Sequence, residues 1–183
     1  MRERKSFPRP RERPVLWCIG LLSIIMLSAS ACGWKFPEQH IIFFNRTESV
    51  PLGFYLRIPL RPLVRGDYVV YEPTELTRRY ATVRGYSPKA TSKFLKRVGA
   101  VAGDTYCIDP DTHHFTIEGT YIGEVFQRDR MDRPLPQQKG TYIVPEDFFL
   151  PIGETSRSFD GRYTGVVPTG SIVALVVPLL TWW

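Results

Sequence analysis

Hydrophobic residues are distributed in two ways along the chain. Residues 15–32 form one unbroken stretch without charge, whereas beyond it short apolar runs alternate with glycine, proline and aspartate. As a helix the first stretch would span roughly 27 Å at about 1.5 Å per residue, enough for a thin hydrocarbon layer. The later runs are 41–44, 54–58, 67–71, 94–101, 105–108, 115–117, 141–144, 148–150 and 172–177. β-Branched and aromatic residues dominate them, and the turn signals between them recur at intervals suited to antiparallel pairing, so an all-β domain is expected. A single helix is predicted over 73–84, where Thr74 can cap and Leu76, Tyr80 and Val83 recur at helical spacing.

Charge sharpens the division. The 183 residues carry a formal net charge of +6. Most of it lies in residues 1–14, with Arg2, Arg4, Lys5, Arg9, Arg11 and Arg13 against Glu3 and Glu12. The remainder is nearly balanced, which speaks against a nucleic-acid-binding face and makes the basic run the flank of a membrane segment. Positive charge ahead of the apolar stretch predicts a cytoplasmic N-terminus and everything after the stretch on the far side. Residues 15–32 are open to three readings: a retained anchor, a signal peptide cut after Ala29-Ser30-Ala31, or a lipoprotein signal acylated at Cys32. All three export the rest. The expected organisation is therefore a basic cytoplasmic flank over 1–14, an anchor or signal segment over 15–32, and one exported domain over 33–183.

The connection around 131–140, with the alternating charges Arg128, Asp129, Arg130, Asp132 and Arg133 ahead of it, reads as a solvated loop. Arg78, Arg79 and Arg84 read as a solvated helix face. Three cysteines, Cys18, Cys32 and Cys107, make no disulfide framework, and Cys107 is expected to be a small buried residue. No cysteine and histidine spacing matches a metal site, and no cofactor is expected.

Candidate chemistry centres on Ser49 and Lys96. Ser49 precedes Val50-Pro51-Leu52-Gly53, where proline stiffens and glycine permits unusual dihedrals, so the hydroxyl is expected on a sharply bent strand edge. A serine nucleophile needs a base, and His40, His113 and His114 are poorly placed to serve. Lys96 lies in the apolar stretch 94–101, where the period of a strand puts it on one face with Phe94 and Val98. Desolvation there would lower its pKa from about 10.4 towards about 7–8, as a lysine base requires. The alternatives are an ordinary loop serine and a lysine snorkelling from a half-buried strand. A third polar group, Ser158, Asp160 and Arg162, would form one row if the segment is extended, with an Asp–Arg pair holding the loop and Ser158 orienting the lysine amine; the alternative is a polar turn with a salt bridge.

In order and spacing these residues resemble the serine–lysine signal peptidases, most closely the conjugative-transfer branch of TraF-type pilin maturation peptidases. The resemblance rests on a basic start and a single apolar segment, then Asn45-x-Thr47-x-Ser49-x-Pro51-x-Gly53-x-Tyr55, Arg84-Gly85-Tyr86, Lys96-Arg97-Val98 with Gly103-Asp104, and Ser158-Phe159-Asp160-x-Arg162-Tyr163. It implies coiled antiparallel sheets with Ser49 as nucleophile, Lys96 as general base and Ser158, Asp160 and Arg162 in support. It further implies a single-pass protein of the inner membrane with its catalytic domain on the periplasmic side. The implied partners are the lipid bilayer and a membrane-embedded pilin-like precursor, cut in conjugative transfer with a linear or cyclised product. Two departures stand out. Gly153-Glu154-Thr155 replaces the Gly-Asp-Asn of general leader peptidases, one residue nearer the third group, and Ala102 replaces the common proline before Gly103. Alternatives are a general type I signal peptidase and a catalytically silent scaffold of a secretion or conjugation complex.

Overall fold

The computed structural model describes residues 40–183 apart from 88, 90 and 91, together with residues 20, 21, 23 and 24. Those four are helical. The basic flank and the rest of the apolar stretch 15–32, including Cys18 and Cys32, lie outside the described residues. Among the described residues no helix is long and apolar enough to cross a membrane.

Among the described residues eleven strands, two α-helices and one 3-10 helix, Thr169–Ser171, build the unit from His40 onward. A seven-stranded antiparallel sheet has the order β1-β2-β11-β3-β4-β9-β10, with β1 Ile42–Asn45, β2 Leu52–Ile58, β3 Tyr68–Tyr71, β4 Phe94–Val101, β9 Phe148–Ile152, β10 Val167–Pro168 and β11 Ile172–Trp182. A second sheet has the order β7-β6-β5-β8, from β5 Thr105–Ile108, β6 His114–Ile117, β7 Thr120–Glu124 and β8 Gly140–Ile143. The all-β expectation is met. β7 and β10 were not anticipated, because β7 is exposed and carries Gly123 while β10 is only two residues long, too little for an alternating pattern to register.

One apolar cluster joins the two sheets through Ala100, Tyr106, Phe115, Leu150 and Tyr163. Two others, around Val69, Val98 and Phe149 and around Val50, Tyr55 and Val176, fill the larger sheet. The interior strand β11 reaches past β3, whose pairing stops at Val176, so Pro178 sits where no neighbour on that side requires its missing N–H. Across β2, Gly53 has φ +125°, and a Cβ there would fall 2.2 Å from the Leu180 carbonyl oxygen. Only glycine lets the two strands approach this closely.

The predicted helix is α1, Glu75–Val83, with the Thr74 side chain accepting from the Thr77 N–H as its N-cap. α2, Gly161–Thr164, overturns the extended row over Ser158, Asp160 and Arg162 in favour of a salt-bridged turn. The Asp160 carboxylate accepts from the Arg162 backbone N–H, so the segment closes into a helical turn. Cys107 is half-buried rather than buried, because it faces outward from β5 and accepts from the Thr141 hydroxyl at 3.3 Å.

Candidate active site

A cavity of about 840 Å³ opens beside β4, and Ser49, Lys96 and Ser158 all line it. Each reaches it by a different piece of local structure.

Ser49 lies in the turn joining β1 to β2, not on a strand edge as expected. Pairing of β1 with β2 starts at Asn45 opposite Gly53, which leaves the intervening residues to a turn. That turn is stapled from within by Asn45, which is buried. Its Nδ2 donates to the carbonyls of Thr47 (2.8 Å), Val50 (3.0 Å) and Pro51 (3.0 Å). Its Oδ1 accepts from the backbone N–H and hydroxyl of Thr47. Val50 is fully buried, and the Tyr55 hydroxyl donates to the Pro51 carbonyl at 2.7 Å. The Ser49 carbonyl in turn accepts from the Glu154 N–H at 2.7 Å, tying the turn to the end of β9. A half-buried serine held on both sides has little freedom to leave the cavity wall.

Lys96 shares a face of β4 with Phe94 and Val98, and Val69 of β3 lies opposite it. It is 4% exposed. Burial pushes its pKa down to about 8; Asp160 opposes this shift and Arg162 reinforces it. Its Nζ donates to the Ser158 hydroxyl at 2.6 Å, and both groups are buried. The amine is therefore aimed by one short hydrogen bond while its charged form is disfavoured by its surroundings.

Asp160 and Arg162 make a buried pair, with the Arg162 Nη2 2.8 Å from Oδ2 and Nε 3.0 Å from Oδ1. Asp160 also accepts from the Gly153 N–H at 2.7 Å. Arg162 donates further to the carbonyls of Thr155 and Ser156. Burial would raise the Asp160 pKa, but Arg162, together with Lys96 and the Gly153 N–H, holds the carboxyl below its usual range. The pair thus fastens the loop carrying Ser158 from beneath, without itself facing the cavity.

The far wall is the segment 126–135, where Arg128, Arg130 and Asp132 are exposed as the solvated reading expects but Asp129 is not. Asp129 is 7% exposed and accepts from the Tyr86 hydroxyl at 2.5 Å and from Arg133 at 2.7 Å, with Arg84 3.7 Å away. Burial acts to raise its pKa, but these hydrogen bonds hold it well below the carboxylate range. Arg84 is correspondingly 14% exposed and lies over the Tyr80 ring rather than in solvent. Alternating signs look alike in sequence whether they face water or one another across a turn.

Sequence reasoning passed over Thr47 and Asn45 as working residues. The Thr47 hydroxyl stands 3.3 Å from the Ser49 hydroxyl. The available signal was an Asn two residues ahead of a Thr at an expected bend, a pattern for side-chain capture of the backbone. Among the described residues no group of histidine, cysteine and acidic side chains could hold a metal.

A buried, deprotonable amine hydrogen-bonded to a hydroxyl, in one cleft with a second serine held in a rigid turn, brings together the kinds of group that acyl transfer uses. The chain belongs to the signal peptidase family, peptidase S26, whose profile matches residues 17–183. It is thereby a member of a peptidase family. A plasmid transfer protein TraF from Escherichia coli is 30% identical over 148 residues, covering 75% of this chain and 82% of its own. A probable conjugal transfer protein TraF from Sinorhizobium fredii is 29% identical over 185 residues, covering 95% and 93%. A conjugal transfer protein TraF from Agrobacterium tumefaciens is 31% identical, covering 75% and 81%. Among solved structures, a signal peptidase I from Enterococcus faecalis aligns over 65% of this chain and 100% of its own, at 18% identity and a TM-score of 0.39.

Proposed function

We propose that this protein is a membrane-anchored serine endopeptidase that processes an exported pilin-like precursor in conjugative transfer, with Ser49 as nucleophile and Lys96 as general base. The observation that carries the reading is the Lys96 amine, buried, shifted to about 8 and pointed by Ser158, in the cleft that Ser49 lines. Membership of the peptidase family supports the reaction class, and the plasmid and conjugal transfer relatives support the setting. The uncharged stretch 15–32 behind a basic flank supports a tether in the inner membrane with the domain on the periplasmic side.

Neutral Lys96 takes the Ser49 proton as the hydroxyl oxygen attacks the scissile carbonyl. The oxyanion that forms is met by the Ser49 backbone N–H. The Thr47 hydroxyl, turning from Asn45, supplies a second donor. Protonated Lys96 then gives its proton to the leaving amine as the C–N bond breaks, leaving an ester on Ser49. Water, or the amine of a peptide end held in the cleft, attacks the ester and returns the proton to Ser49 through Lys96. The second route joins peptide ends into a ring. Tethering raises the effective concentration of a substrate that is itself in the membrane.

The test is mass analysis of a pilin-like precursor co-expressed with wild type, Ser49→Ala or Lys96→Ala. Both variants are expected to leave the precursor uncut while remaining folded and membrane-associated. A ring product would weigh one water less than the corresponding linear peptide. Normal processing by either variant would overturn the assignment of that residue.

A further inference from the structure

The cleft is charged more strongly than the domain around it. Beyond residue 14 the chain carries only a small excess of positive charge, yet the cleft is lined by seven lysine and arginine side chains besides the buried Lys96, against two carboxylates, Glu48 and Asp129. Asp129 is already committed to Tyr86, Arg84 and Arg133. The excess is also local and reachable. Arg46, Lys93, Arg130 and Arg157 are exposed, line the cleft, and form no ion pair among the described residues. Arg157 is held over the Phe126 ring at 4.6 Å, which steadies its guanidinium without neutralising it.

Cations gathered round a concavity focus their field into it and raise the local concentration of anions. A polypeptide crossing this cleft to reach Ser49 brings few compensating groups unless it carries a carboxylate. We infer that the cleft reads a carboxylate in its peptide occupant, an acidic side chain near the scissile bond or the chain's own terminal carboxylate, through Arg46, Arg130 and Arg157. The inference rests on the peptidase reading of the same cleft and names a substrate feature that reading leaves open. The cations line the same cleft as Ser49 and Lys96, whereas the exposed apolar residues Ile42, Leu179 and Leu180 of β1 and β11 lie outside its lining. That separation favours a peptide over an anionic lipid head as the partner of the arginines.

The experiment uses the full chain in detergent as Ser49→Ala, with a pool of synthetic peptides in matched pairs that differ by one Glu or Gln, each with a free or amidated C-terminus. Captured peptides are read by mass spectrometry. A preference of about tenfold for Glu over Gln at a consistent distance from one register is expected, weakening in high salt. It should be lost in the Arg46→Gln, Arg130→Gln, Arg157→Gln triple variant and kept when the three become lysine. Preference for the free acid over the amide, without Glu over Gln, assigns the carboxylate to the chain terminus and still supports the inference. Equal capture of all members overturns it, as does arginine-dependent binding to anionic vesicles with no peptide discrimination. The same pool is offered to wild type for cleavage. Cleavage without acidic preference sinks the inference alone, and acidic capture with no cleavage sinks the peptidase reading alone.

Discussion

Gly153 and Ser158 are packed so closely that no side chain fits between them: a Cβ on Gly153 would fall 2.0 Å from the Ser158 Oγ and 2.9 Å from the Ser49 carbonyl oxygen. The glycine at the end of β9 therefore governs how near the Lys96–Ser158 pair lies to the turn bearing Ser49. Asp160 grips the N–H of the same glycine.

Gly153→Ala is expected to push Ser158 away and unpoint the Lys96 amine. A displacement of that order costs about a hundredfold in kcat/KM, with secondary structure retained. Peptide cleavage assays with circular dichroism check it, and unchanged kcat/KM would show that the Ser158 contact does not position the amine.

Under the proposed mechanism activity should depend on pH through Lys96, whose neutral form would take the Ser49 proton. With its pKa lowered to about 8, kcat/KM is expected to rise through that value and level off above it. A rise only near pH 10 would contradict a desolvated base. Stability follows the same proton. The unfolded chain keeps this lysine charged up to about 10.5 while the folded one releases the proton near 8, so in that interval the unfolded state binds more protons and stability grows with pH. Below 8 both states are charged and the cost of burial is fully felt. Lys96→Met, similar in volume, is accordingly expected to stabilise the inactive protein at pH 7 by on the order of 1–3 kcal/mol, with the gain shrinking above pH 8. Denaturant unfolding at several pH values measures this.

Asp160 and Arg162 act on the lysine with opposite signs. Asp160→Asn removes the attraction that raises the Lys96 pKa, so the rising limb of activity should move to lower pH, and Arg162→Met should move it higher. Leaving one buried charge uncompensated costs about 3–5 kcal/mol in either variant. In the wild type the Asp160 carboxyl is held below its ordinary value, so the stability it contributes is complete above pH 4 or so and is lost as the pH falls further. Limbs that shift in the same direction in both variants would show that the effect is structural rather than electrostatic.

Much of the framework was legible locally. The strand over 94–101 and the helix capped by Thr74 follow from periodicity, and the apolar neighbours of Lys96 at alternate positions foretold its burial. The bend at Ser49 was anticipated from proline and glycine but put on a strand, because the turn is made by Asn45 reaching three carbonyls, a contact no hydropathy pattern encodes. The row over Ser158, Asp160 and Arg162 failed for a related reason: a carboxylate bonding its own downstream N–H turned an apparent strand into a helical turn.

The primary structure alone determined the alternation that makes sheets, the uncharged stretch behind a basic flank, and the few polar residues set among apolar ones, since each is a property of neighbours along the chain. Tertiary structure alone decided which of those polar residues meet. Lys96 and Ser158 are 62 residues apart, and the Ser49 carbonyl finds the Glu154 N–H across an even longer separation. Such contacts, like the cations gathered round one cleft in a nearly balanced chain, depend on strand order and register. Those are settled by how whole sheets bury their faces, not by any local run of residues.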